Sequence, residues 1–154
     1  EQKIALVVFG VAINESLSDF GFETYNIGYL HDDYSKSILY SASDIYIAPS
    51  IQDNLPNTVM ESLACGTPVV AFDVGGIPDM VDHKINGYLA TENDPDDLAK
   101  GINWIIDNQS KIDFSKQACL KVKREFRIDK IADRHFKLYN KILSETKSDV
   151  LIKA

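Results

Sequence analysis

"APSIQDNLPNTVMESLACGTPVVAFDVGGIPD", residues 48–79, decides how the chain reads. A strand-like start gives way at Pro49-Ser50 to a Pro-containing turn that carries Asp53. Val59, Leu63 and Ala64 then recur at helical spacing up to Gly66, a natural C-terminal stop. Residues 68–74, "PVVAFDV", form a β-branched-rich run that ends on Gly75-Gly76. Segments 49–57 and 73–78 thus each follow a predicted strand. In an open parallel sheet, ligands bind outside the carboxyl ends of the strands, so both segments are expected to share one crevice.

The residue types in that crevice point to a ligand. Asn57 can cap the helix, so that the N–H groups of Asn57, Thr58 and Val59 face out of a positive helix end, which attracts phosphate without any lysine. Glu61 sits one turn further in, and Asp53 lies on the preceding loop; each carboxylate is a good acceptor for vicinal hydroxyls. Gly75 and Gly76 carry no side chain where a ligand ring would press against backbone. Singly, these are a solvated turn acid, an exposed helix residue and a turn. Together they describe a site for a ligand with hydroxyls at one end and phosphate in its middle, a nucleotide sugar.

Outward from this stretch, strands and helices alternate. "KIALVVFG" (3–10), "ETYNIGYL" (23–30), "DIYIAPS" (44–50) and "NGYLA" (86–90) join 68–74 as five predicted strands. Tyr34, Ile38, Leu39 and Ala42 predict a helix after the acidic start Asp32-Asp33. Asp94-Pro95-Asp96-Asp97 opens another, with an N-cap, a proline at the first position and acids facing the helix dipole. Phe114, Ala118, Val122 and Phe126 line a further amphipathic stretch. Ile128, Ile131, His135, Leu138 and Ile142 line the last, and Ala132, Phe136, Tyr139 and Leu143 widen its face. These faces are expected to pack on the sheet or on a neighbouring domain, with His135 a core-edge histidine and Trp104 in the core. The fold class is α/β, a three-layer, doubly wound, Rossmann-like parallel sheet of about five strands with C-terminal helices.

Composition excludes several classes. With 154 residues, 45% of them hydrophobic, the chain buries one ordinary core and is expected to form one domain. It holds no apolar run near the ~20 residues of a membrane span and no leader pattern, so a cytoplasmic setting is expected. Cys65 and Cys119 lie far apart in apolar helical patterns and read as reduced core thiols. His31, His83 and His135 show no ligand spacing with them, so no metal is expected. Residues 1–110 hold four lysines, no arginine and 17 acids, net −13; residues 111–154 hold 12 basic and 6 acidic residues, net +6. Because that positive charge falls on the polar sides of helices, nucleic acid is not an expected partner.

The opening stretch resembles the signature of the group 1, retaining, two-domain (GT-B) glycosyltransferases. The matching residues are Pro49-Ser50, Glu61-Ser62-Leu63-Ala64-Cys65-Gly66-Thr67-Pro68-Val69-Val70-Ala71 and Gly75-Gly76-Ile77-Pro78. "SASDIYIAPS" before it and "NGYLA", "DPDDLAKGINWII" and "FRIDKIADRHFKLYNKIL" after it extend the likeness over nearly the whole chain. The resemblance implies that residues 1–154 are part of the C-terminal, donor-binding half of a hexosyltransferase. That enzyme would take a UDP- or GDP-sugar without a metal. A glycan or lipid-linked acceptor, with peripheral membrane contact left open, would meet it through an N-terminal domain.

The resemblance also implies roles. Glu61 would hold the ribose hydroxyls. Asp53, where the family has Glu, would face the sugar or its developing charge as the catalytic residue. Asn54, Leu55, Pro56, Asn57 and Thr58 would lie over sugar and phosphates, beside Gly75 and Gly76, with Asp79 replacing a Glu after Ile77-Pro78. Gly28 and Tyr29 would meet the base. The family's first strand and helix, with an Arg and a Lys that neutralise the leaving diphosphate, have no counterpart here, so the chain alone is expected to be inactive. With that strand absent, we expect β-order 2-1-3-4-5 in one closed sheet, with residues 4–9 bonded to 45–48. An epimerase of the same architecture and a non-catalytic flavodoxin-like binding module are the alternatives.

Overall fold

A computed structural model describes residues 3–10 and 21–151, with side chains as far as residue 145. The chain runs β1 (Ala5–Val8), β2 (Glu23–Asn26), α1 (Asp33–Ala42), β3 (Tyr46–Ala48), α2 (Asn57–Ala64) and β4 (Val69–Phe72). It continues through α3 (Ile77–Met80), β5 (Gly87–Ala90), α4 (Pro95–Asn108), α5 (Phe114–Glu125) and α6 (Ile128–Leu151). Each of the five stretches read as strands contains one, and all pairings are parallel. The one-turn helix α3 escaped the sequence reading because four residues show no period.

Local chemistry accounts for the helix ends. Asp32 caps α1 by accepting from the Ser35 N–H at 2.7 Å. Asp94 caps α4 by accepting from the Asp96 and Asp97 N–H groups at 3.0 and 3.1 Å, with Pro95 at the first helical position. Helix α2 stops as Gly66 predicts. Gly66 takes a left-handed φ of +86°, its N–H donates to the Leu63 carbonyl at 3.1 Å, and the Thr67 N–H donates to the Ser62 carbonyl at 3.0 Å. That pair of bonds is a Schellman closure.

Strand β4 is buried along its whole length, as a parallel strand covered on both faces must be. Val69 and Ala71 join Val59 and Leu63 of α2, Ile77 and Met80 of α3 and Ala118 of α5. Val70 joins Ile105 of α4 and Phe114. Helices therefore cover this sheet on both sides, and the three-layer α/β expectation is met. Trp104 is half-buried and packs at the edge of the core, not inside it as expected, with its ring 6.1 Å from Tyr88 and 5.7 Å from Phe114.

The closed sheet expected from the sequence does not form. The described strands make two sheets, β1-β2 and β3-β4-β5, and no backbone bonds join residues 4–9 to 45–48. Side chains, not backbone hydrogen bonds, make the contact between the two sheets. The Phe9 ring, just past β1, sits edge-on to Tyr40 of α1 at 5.7 Å and tilted to Tyr46 of β3 at 6.4 Å.

Helix α6 does not cover its face against this sheet, which leaves a neighbouring domain as its expected cover, and only its His135 is corrected. Its apolar face is uncovered among the described residues, with Ile128 88% and Phe136 67% exposed. His135 is exposed too, not a core-edge residue, its Nδ1 2.9 Å from the Ile131 carbonyl oxygen. Helical periodicity states that a face exists, whereas cover depends on what lies opposite. Among the described residues, no helix is long and apolar enough to cross a membrane.

Candidate functional site

The loops after β3 and β4 meet, as their position at the carboxyl ends of neighbouring parallel strands requires. A Cβ placed on Gly75 would collide with the Asp53 carbonyl oxygen, and one on Gly76 with the Asn54 carbonyl oxygen and, at 3.1 Å, with Leu55 Cδ1. The two glycines are therefore needed for contact with the protein's own loop, a reason the sequence reading assigned to a ligand ring. Gly75 also has a left-handed φ of +55°. Pinned this way, the loop leaves Asn54 and Leu55 exposed, Pro56 buried and Asp53 half-buried.

Pro56, not Asn57, occupies the N-cap of α2, and it makes no side-chain cap bond. Asn57 is the first helical residue, so its amide cannot reach back to close the turn. Whereas Asp residues close the N-termini of α1, α4 and α5, this helix start is free of a capping carboxylate. An anion there would meet N–H donors and the positive end of the dipole with no competing acid.

One turn along α2, the Glu61 carboxylate is held by two residues of α1. Lys36 Nζ donates to Oε1 at 3.0 Å, and the Tyr40 hydroxyl donates to Oε2 at 3.2 Å. Lys36 also pairs with Asp33 at 3.0 Å. Burial, then the neighbouring Tyr46 and the Glu61 carboxylate, push the Tyr40 phenol well above its ordinary range, so it stays protonated and keeps its donor role. Burial likewise raises Tyr46, opposed by a hydrogen bond with Thr58 and reinforced by the Glu61 and Asp53 carboxylates.

Lys36 and Tyr40 were not singled out from the sequence. The available signal was their spacing of four, which puts both on one face of α1. Gly28 and Tyr29 lie at the carboxyl end of β2, in the other sheet. Gly28 has φ +71°, and its N–H donates to Asn26 Oδ1 at 3.0 Å, a turn that leaves Tyr29 60% exposed with its ring stacked 6.3 Å from His31. A cleft of about 530 Å³ opens at the opposite end of the sheet, beside Asp44, Thr67 and Gln109, and holds none of the crevice residues.

Comparison with known proteins places this geometry. The family described as Glycosyl transferases group 1 matches residues 23–120. An uncharacterised glycosyltransferase of Haemophilus influenzae is 40% identical over 73 residues, which cover 47% of this chain and 21% of that protein. Among solved structures, Anabaena Alr3699/HepE in complex with UDP superposes with a TM-score of 0.68 at 25% identity, covering 77% of this chain and 32% of that one. The sucrose-phosphate synthase of Thermosynechococcus elongatus shares the fold, with a TM-score of 0.76 at 23% identity over 91% of this chain and 39% of its own. The chain spans about a fifth of the length of the Haemophilus relative. Since the family match runs from β2 to α5 and so takes in both loops of the crevice, α1 and α2, the chain belongs to the glycosyl transferases group 1.

Proposed function

We propose that this chain forms the donor grip of a glycosyltransferase that moves a sugar from a nucleotide sugar to a glycan or lipid-linked acceptor with retention at the anomeric carbon. The observation that carries the reading is the Glu61 carboxylate, oriented by Lys36 and Tyr40, one turn from an uncapped helix start. Glu61 accepts the ribose hydroxyls, and the N–H groups at Asn57 and Thr58 meet the diphosphate. Asn54, Leu55 and Pro56 lie over the sugar, Gly75 and Gly76 seat that loop, and Gly28 and Tyr29 face the base. As the C1–O bond to the diphosphate breaks, Asp53 opposes the positive charge developing on the sugar and α2 opposes the negative charge on the leaving group. A uridine donor is favoured because Alr3699/HepE was solved with UDP and with UDP-glucose.

The rest of the intact protein supplies the acceptor site and the cations for the leaving group, and transfer proceeds without a metal. A cytoplasmic setting suits the free thiols Cys65 and Cys119.

Calorimetry of the intact protein against UDP-glucose, UDP-N-acetylglucosamine and GDP-mannose tests the reading. One of them is expected to bind, and NMR of the transferred sugar is expected to show the donor's anomeric configuration. Binding of none would end the donor-site reading, and an inverted product would end the claim of retention.

A further inference from the structure

Glu61 has about four lone-pair positions on its two oxygens. Lys36 takes one on Oε1 and Tyr40 takes one on Oε2, at 3.0 and 3.2 Å, and the Glu61 side chain stays 35% exposed. With one donor on each oxygen and the side chain part-exposed, each oxygen keeps acceptor capacity for a further donor, as the two hydroxyls of a vicinal cis-diol require. We infer that Lys36 and Tyr40 are positioning residues that orient the Glu61 carboxylate toward the 2′ and 3′ hydroxyls, so that selectivity for ribose depends on α1 as well as α2. This inference rests on the ribose role proposed above for Glu61.

The two supports differ in kind. Tyr40 is 2% exposed, its ring set edge-on to Phe9 and Tyr46, and its backbone carbonyl accepts from Thr67 Oγ1 at 2.5 Å. Its hydroxyl is aimed by packing and has little freedom to turn. Lys36 brings charge. Its side chain is 24% exposed, and of its two partners Asp33 is 99% exposed while Glu61 is half-buried, so the better-shielded attraction is the one to Glu61. Lys36 is also one of only four lysines, with no arginine, in residues 1–110. Without Lys36, the carboxylate keeps one anchor and swings about its last side-chain bond.

Two probes separate this role from a structural one: UDP, and 2′,3′-dideoxyuridine 5′-diphosphate, which lacks both hydroxyls. In calorimetry on the intact protein, Lys36→Met is expected to weaken UDP about fivefold and leave the dideoxy compound within about twofold, with Lys36→Arg restoring UDP binding. Tyr40→Phe, which keeps the packed ring, is expected to narrow the gap between the probes in the same sense. Equal weakening of both probes by Lys36→Met, or no weakening of either, overturns the inference. Glu61→Ala is the reference: if it leaves the gap between the probes unchanged, the ribose reading itself falls. If Glu61→Ala closes the gap while Lys36→Met does not, only the positioning role falls.

Discussion

Glu61→Ala weakens the affinity of the intact protein for UDP by about 10- to 100-fold. Hydrogen bonds to a charged acceptor are worth about 1.5 to 3 kcal/mol, and each 1.4 kcal/mol is a factor of ten in Kd. The substitution leaves the core alone, since Glu61 lies between buried core positions on α2 without filling one of them. It does release Lys36 and the Tyr40 hydroxyl, so a melting temperature lowered by a few degrees accompanies the loss. Calorimetry and a thermal melt on the same preparation separate the two effects. An unchanged Kd for UDP shows that the carboxylate does not touch the ribose.

Asp53→Asn reduces turnover of the intact enzyme about a hundredfold while shifting donor Kd by no more than about threefold. Asn keeps the shape of the side chain, and the backbone of residue 53 is pinned by its carbonyl against Gly75, so the loop stays in place. Only the negative charge is removed. Charge that stabilises a cationic sugar matters most in the transition state, which is why kcat falls and ground-state binding does not. Parallel losses in kcat and Kd, or none in either, identify Asp53 as a turn residue.

Short-range chemistry made most of the local structure legible. Short apolar runs placed all five strands, Asp32 and Asp94 marked helix starts, and Gly66 marked a stop, because each signal acts within a few residues of itself. Errors arose where the deciding partner lay far along the chain. Phe9 meets its ring partners only at positions 40 and 46, and β1 makes no backbone bond to β3. Period alone also does not say whether the sheet or a neighbouring domain covers the face of α6. Within the candidate site, the meeting of the two loops was expected from their positions after neighbouring strands, whereas the reason for the glycines required knowing that residues 53 and 54 lie against them. Lys36 reaches Glu61 across 25 positions, a distance over which spacing rules say nothing. Asn57 and Pro56 show a smaller limit, a helix boundary displaced by one residue.

The division into two sheets has a thermodynamic consequence. No residue of β1 or β2 is fully buried, while all four of β4 are. Opening the β1-β2 pair exposes little new apolar surface, so its amide protons exchange with solvent through local opening at a small part of the global unfolding free energy. Those of Val69–Phe72 wait for global opening of the three-stranded unit. In deuterium exchange, protection is therefore expected to step down sharply between the two sheets, and a nucleotide seated at Gly28 and Tyr29 as well as on α2 would join them. Its binding would slow exchange in β2 more than in β4, where there is little left to gain.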